Sequence, residues 1–247
     1  TFFLPSLNKY DEGFQKFLFS YLLDVPIFRE LQAERKLNWC SALHTVVPVL
    51  TLGDGNCLMH AASIGMWAVS DRYQVLRKAV YDVMIEDHEG IFHMRWQFET
   101  EKQHSHLGYK ITEEQWTQEW REVLRLVSTD HTPRGTNALS YDSLEEIHIF
   151  ILANILRRSI IVVSEDVLRG NYDESLSPVN LGGIYLPLNW DPVECVKTPL
   201  LIGYAQGHFT ALVSIEDGNA GAGDTHKIHG VPLVKPDGSA LPVHFLL

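Results

Sequence analysis

GDGNCLMHAAS, residues 53–63, sets one cysteine, Cys57, between a glycine-bearing turn and a run of small and apolar residues. Gly53 and Gly55 open backbone conformations closed to residues with a side chain. The spacing of Leu58, Ala61, Ala62, Gly65 and Met66 predicts a closely packed helix over 58–68. Cys57 therefore stands at a helix start. Unpaired amides and the positive end of the helix dipole favour an anion there, which predicts a lowered thiol pKa and a larger thiolate fraction. The backbone donors of Asp54, Gly55, Asn56 and Cys57 would face the oxygen of a carbonyl attacked by the sulfur, as an oxyanion hole for acyl transfer does. An isolated cysteine is commonly a buried packing residue, so the loop by itself leaves both readings open.

A thiol nucleophile needs an imidazole within hydrogen-bond reach, and the chain offers twelve histidines. His60 follows Cys57 on the same predicted helix, where packing or hydrogen bonding is as good a reading as catalysis. His208 opens HFTALVSI, in which Phe209, Ala211, Val213 and Ile215 alternate toward a core. A histidine at that strand start is either a rigidly held group at a cleft or a solvent-facing residue. Asp24, ahead of Val25 and Pro26, reads as a helix cap from its residue type alone.

Length and composition narrow the class. The chain has 247 residues, 45% of them hydrophobic, enough for one large domain over 1–247, and no strong linker divides it. Its abrupt start and finish suggest a catalytic domain cut from a longer protein. Cys40, Cys57 and Cys195 are odd in number and widely spaced, without the pairing of a zinc finger. A reducing compartment and no metal or other cofactor are expected. No apolar run reaches the roughly 18 residues of a membrane span, and TFFLPSLNKYDEG lacks the marks of a signal peptide. The expectation is a cytoplasmic protein, with the nucleus as second compartment, that binds neither membrane nor nucleic acid. A net charge of −11 argues against phosphate-backbone binding and suits a basic protein partner.

Outward from the cysteine loop, Leu7, Tyr10, Phe14, Phe17, Leu18, Tyr21 and Leu22 recur at helical spacing over 7–23, and Pro26 opens a second helix running to about Lys36. Val46–Leu52 reads as extended. Helices are expected over 71–84, over 116–127 behind a capping box of Thr112 and Gln115, and over 144–156 behind Ser143 and Glu146. The four histidines within 85–110 show no compact ligand pairing, so that stretch reads as a polar helix or loop. Residues 129–140 read as a flexible linker and GNAGAG, 218–223, as a loop. Strands are expected at 160–163, 184–188, 200–204 and 209–215, with a closing pair near 231–234 and 243–246. Helices first and strands late make an α+β domain, a sheet flanked by helical regions.

GDGNC followed by LMHAAS resembles the cysteine loop of the ovarian tumour (OTU) family of ubiquitin-specific thiol proteases. LNWC at 37–40, YDSLEEIHIFILANILRR at 141–158, GGIYLPL at 182–188 and GHFTALVS at 207–214 are similar to the subfamily that includes Cezanne and Trabid. The resemblance implies a papain-like fold with a central, mostly antiparallel sheet. It implies a cysteine isopeptidase that releases ubiquitin from lysine side chains, with Cys57 as nucleophile, His208 as general base, and ubiquitin, polyubiquitin chains and ubiquitinated proteins as partners. A catalytically silent ubiquitin-binding module is the alternative. Many members orient the histidine with a polar residue two places after it, where this chain has Thr210. In the similar subfamily an acidic residue ahead of LNW takes that role, which falls on Asp24.

Overall fold

The computed structural model describes residues 2–104, 111–130, 132–134, 138–169, 175–216, 228 and 230–247. β1 (Phe3–Leu4) precedes α1 (Glu12–Leu22), which Asp11 caps by accepting from the Phe14 amide at 3.0 Å. α2 (Val25–Ala33) follows with Pro26 in its first turn and Ile27 and Leu31 buried. β2 (Val46–Val49) leads into the cysteine loop and α3 (Cys57–Trp67). α4 (Val75–Ile85) begins later than its spacing suggested, because the Asp71 carboxylate accepts from the Val75 and Leu76 amides at 2.8 and 3.0 Å.

In the middle of the chain one expectation is narrowed and two change. The stretch after residue 85 contains a regular helix, α5 (Ile91–His104), started by the Asp87 carboxylate, which accepts from the amides of Ile91, Phe92 and His93. α6 (Glu113–Val127) has the expected Thr112–Gln115 box, but the supposed linker after it holds β3 (Thr132–Arg134) paired antiparallel with β4 (Ala138–Ser140). α7 (Glu146–Ile155) is capped not by Ser143 and Glu146 but by His148, whose Nδ1 accepts from the Glu145 amide at 2.9 Å.

The remaining strands are β5 (Arg158–Ser164), β6 (Val167–Arg169), β7 (Ser175–Pro178), β8 (Gly183–Tyr185), β9 (Val196–Ala205) and β10 (His208–Ile215). One six-stranded sheet runs β1-β10-β9-β5-β8, with β2 also on β10. It is mixed. β1–β10 and β5–β9 are parallel, and β2–β10, β9–β10 and β5–β8 are antiparallel. The expected closing strand pair is reduced to isolated bridges, Val234 with Ala240 and Val243 with Ile184. The GNAGAG stretch lies outside the described residues.

α3 and α7 pack against this sheet and are apolar on almost every side, as befits helices at the centre of a core. Leu58, Met59, Ala61 and Ala62 of α3 and Ile149 to Ala153 of α7 are fully buried. Each such Leu or Ile contributes about 1.5–3 kcal/mol through burial. Gly65 lets α3 approach β9 closely, since a Cβ there would lie 2.8 Å from the Leu200 side chain. At the other end, Phe245 stacks on Phe150 at 4.9 Å and His244 on Tyr185 at 4.6 Å, closing the core. Among the described residues no helix is long and apolar enough to cross a membrane.

The fold class is the expected α+β, with one reversal. α1 is amphipathic, but its Phe14, Phe17 and Tyr21, with Tyr10 just ahead of it, face outward, and Phe19 packs on the core instead.

Candidate active site

α3 delivers Cys57 as its first residue, behind Asn56 as cap, and the sulfur-bearing side chain is 6% exposed. The loop before it is held from three sides. The Asp54 carbonyl accepts from the Tyr141 amide at 2.7 Å. Gly55 takes φ +88°, and a Cβ there would stand 1.8 Å from the Tyr141 carbonyl oxygen, so only glycine fits. Beneath lies Arg77, with no exposed surface.

Arg77 is the part of the site that sequence reasoning missed. Its guanidinium donates to the carbonyls of Gly55 at 3.3 Å, Ser128 at 3.0 Å, Asp142 at 3.0 Å and Leu126, and to Asn56 Oδ1 at 3.3 Å. It also lies 4.8 Å from the Tyr141 ring centre. Burial lowers its pKa to about 10, which leaves it charged at neutral pH. The signal was its spacing, since Arg77, Val80 and Met84 share the buried stripe of α4.

β10 brings the imidazole to the same loop. His208 is its first residue, and a Cβ built on Gly53 would lie 3.8 Å from the ring's Cε1 and 3.9 Å from Nδ1. The backbone of the next residue, Phe209, hydrogen-bonds Cys57. The structure thus gathers Cys57 and His208, although 151 positions of numbering separate 57 from 208. His60 turns elsewhere. It is buried, with Nε2 3.1 Å from Asp54 Oδ2, and so braces the loop.

Two electrostatic expectations are corrected. Burial pushes the Cys57 thiol above its ordinary pKa, and it outweighs the lowering by backbone hydrogen bonds from Phe209, Leu58 and Cys57 itself, while the Asp54 charge adds to the rise. The helix start does not by itself produce a thiolate. Of the four expected oxyanion donors, the Asn56 amide is occupied, donating to Asp54 Oδ1 at 2.9 Å. The amides of Asp54 and Gly55 have no partner among the described residues.

Asp24 caps α2, its Oδ1 accepting from the Ile27 amide at 3.3 Å, and its own amide donates to the Pro48 carbonyl at 3.0 Å. β2 stands between it and β10, and no hydrogen bond joins Asp24 to His208. The Thr210 hydroxyl donates to the Val49 carbonyl at 2.6 Å, as does Thr51 at 2.9 Å. No three His, Cys, Asp or Glu side chains among the described residues are arranged to hold a metal ion.

Comparison with known proteins agrees with this geometry. The chain is 41% identical to tumor necrosis factor alpha-induced protein 3 of Homo sapiens and of Macaca fascicularis in a 239-residue alignment that covers 94% of this chain and 29% of each relative. The Mus musculus protein is 40% identical over 94% of this chain and 30% of its own length. This chain therefore spans less than a third of those relatives. The crystal structure of the viral OTU domain protease from Farallon virus aligns with 69% of this chain and 85% of its own, at a TM-score of 0.38 and 16% identity. The profile described as OTU-like cysteine protease matches residues 52–209, more than half the chain and the whole interval from cysteine loop to histidine strand. The chain belongs to the OTU-like cysteine protease family.

Proposed function

We propose that this domain is a deubiquitinase, a cysteine isopeptidase acting on the bond between the ubiquitin C-terminal glycine and a lysine side chain. The observation that carries the reading is the meeting of Cys57 and His208 at one loop, with the Phe209 backbone on the sulfur and the imidazole over Gly53. The sulfur attacks the glycine carbonyl carbon as His208 takes its proton. The C–N bond then breaks, and the imidazolium returns that proton to the lysine amine. Water, deprotonated by the same imidazole, hydrolyses the thioester and frees the thiol. The developing oxyanion is assigned to the amides of Asp54, Gly55 and Cys57, with Asn56 joining if Asp54 swings away. Asp24 is assigned as the acid that orients His208, a role its carboxylate would take by turning from the α2 cap and reaching across β2.

Ubiquitin and polyubiquitin chains are the partners of this reading, and the cytoplasm its setting, in keeping with three unpaired cysteines. Ubiquitin carrying a C-terminal vinyl electrophile tests it. The parent domain should form a covalent adduct that Cys57→Ala abolishes, and His208→Ala should lose turnover of ubiquitin–aminocoumarin. Reversible binding without adduct in the parent would make the domain a silent ubiquitin-binding module.

A further inference from the structure

α1 is a helix with no buried residue, yet three aromatic rings on it continue a fourth, that of Tyr10, just ahead of its cap. Tyr10, Phe14, Phe17 and Tyr21 are 39%, 42%, 52% and 67% exposed. Their ring centres follow one another at 5.2, 6.0 and 4.7 Å. Isolated exposed aromatics need no explanation, but an ordered stripe of them marks an interaction surface.

The stripe runs toward the cleft. Leu22, next after Tyr21, accepts from the Leu50 amide at 2.8 Å, and Leu23 bridges Val49. Leu50 and Leu52, which follow β2, are 55% and 47% exposed, with buried Thr51 between them. β2 pairs with β10 in the register Val49 to Ala211, and Leu52 immediately precedes Gly53, where a Cβ would lie 3.8 Å from the His208 ring. Tyr21, Leu22, Leu50 and Leu52 therefore join α1 to the histidine side of the active site.

Chemistry decides what belongs on that side. The group that departs in acylation is an amine, and it must lie against the imidazolium that protonates it. The protein bearing that amine consequently sits over the histidine side of the cleft, while the acyl partner is held by the sulfur and the amides of the cysteine loop.

We propose that the α1 aromatic stripe, continued by Leu50 and Leu52, docks the protein that carries the modified lysine, which in a polyubiquitin chain is the leaving ubiquitin. This rests on the deubiquitinase reading. Substrate choice would then reside in part on α1, remote from the reacting atoms.

The test compares two substrates in the double variant Phe17→Glu, Tyr21→Glu. A panel of diubiquitins covering all linkages presents a leaving protein, and ubiquitin–aminocoumarin presents only a small dye. The variant should lose about tenfold or more in kcat/KM on whichever diubiquitins the parent cleaves, the loss expected for aromatic contact residues. It should stay within about twofold on the dye substrate, with an unchanged melting temperature because neither residue is buried. Equal loss on both substrates, or no loss on diubiquitin, would overturn the proposal. So would a parent that cleaves the dye substrate but no diubiquitin, or a parent dimer that the variant dissociates, since the stripe would then serve a second copy. A parent inactive on both substrates and not captured by the electrophile would instead fail the deubiquitinase reading itself.

Discussion

Cys57 sits between opposing influences, since a helix start and three backbone hydrogen bonds favour its anion while burial disfavours it more strongly. Raising a thiol pKa lowers the thiolate fraction at neutral pH. Iodoacetamide labelling of Cys57 in the free domain should therefore rise with pH through an inflection above that of an ordinary thiol, and at pH 7 should lag the more exposed Cys40 and Cys195. Preferential labelling of Cys57 at pH 7 would contradict this. Asp24 poses a cleaner question, because Asn keeps a side-chain oxygen for the Ile27 amide and so keeps the cap. If Asp24 orients His208, Asp24→Asn lowers turnover by about tenfold or more, and Thr210→Ala stays within a few-fold. Undiminished turnover in Asp24→Asn would leave Asp24 as a cap alone. The sequence pointed to Cys57 and His208 through the resemblance of GDGNC and GHFTALVS to a known family, since the glycine-flanked loop and the strand alternation by themselves left other readings open. It could not show that Asp54 serves His60 and the Asn56 amide at once, because that depends on a turn conformation rather than on periodicity.

At the level of elements, the cysteine loop is a turn built around contacts that come from far along the chain. Gly55→Ala would place a methyl group against the Tyr141 carbonyl and force a positive φ on alanine. The substitution should cost about 2 kcal/mol or more of stability and remove activity, read by chemical denaturation and by ubiquitin–aminocoumarin hydrolysis. A stable, active variant would show that the loop has a second conformation. The element pattern also explains where sequence reading fell short. β5 and β10 were legible because buried strands write themselves as β-branched or alternating runs. α5 was not, since its start is set by Asp87 side-chain bonds and its surface carries charges on most sides. The aromatic spacing of α1 gave the helix correctly but could not say which face meets the core. Periodicity marks a stripe without naming what covers it.

For the molecule as a whole, half-buried Glu146 and buried His148 of α7 tie stability to pH. Glu146 is pushed up to about 7 by burial and by the neighbouring Glu145 and Glu99 charges, while His148 is lowered to about 4, chiefly by burial. A carboxyl whose folded pKa exceeds its unfolded value favours the fold when protonated, so its contribution is lost as pH rises from about 4.5 to 7. His148 acts in the opposite sense, costing stability as pH falls below about 6.5 toward 4. The Glu146 share is isolated by substitution. Glu146→Gln should gain stability over the parent between pH 5 and pH 8 by about 2–3 kcal/mol, and a pH-independent difference would show that Glu146 ionises normally. Another whole-chain property follows from β1. Phe3 and Leu4 lie parallel to Ser214 and Ile215, about two hundred residues downstream, and the strand they join is also the one that carries His208. During synthesis β1 cannot join the sheet, nor Cys57 meet His208, until β10 has left the ribosome. Until then the two residues are held apart on a chain whose cysteine loop is already outside the ribosome.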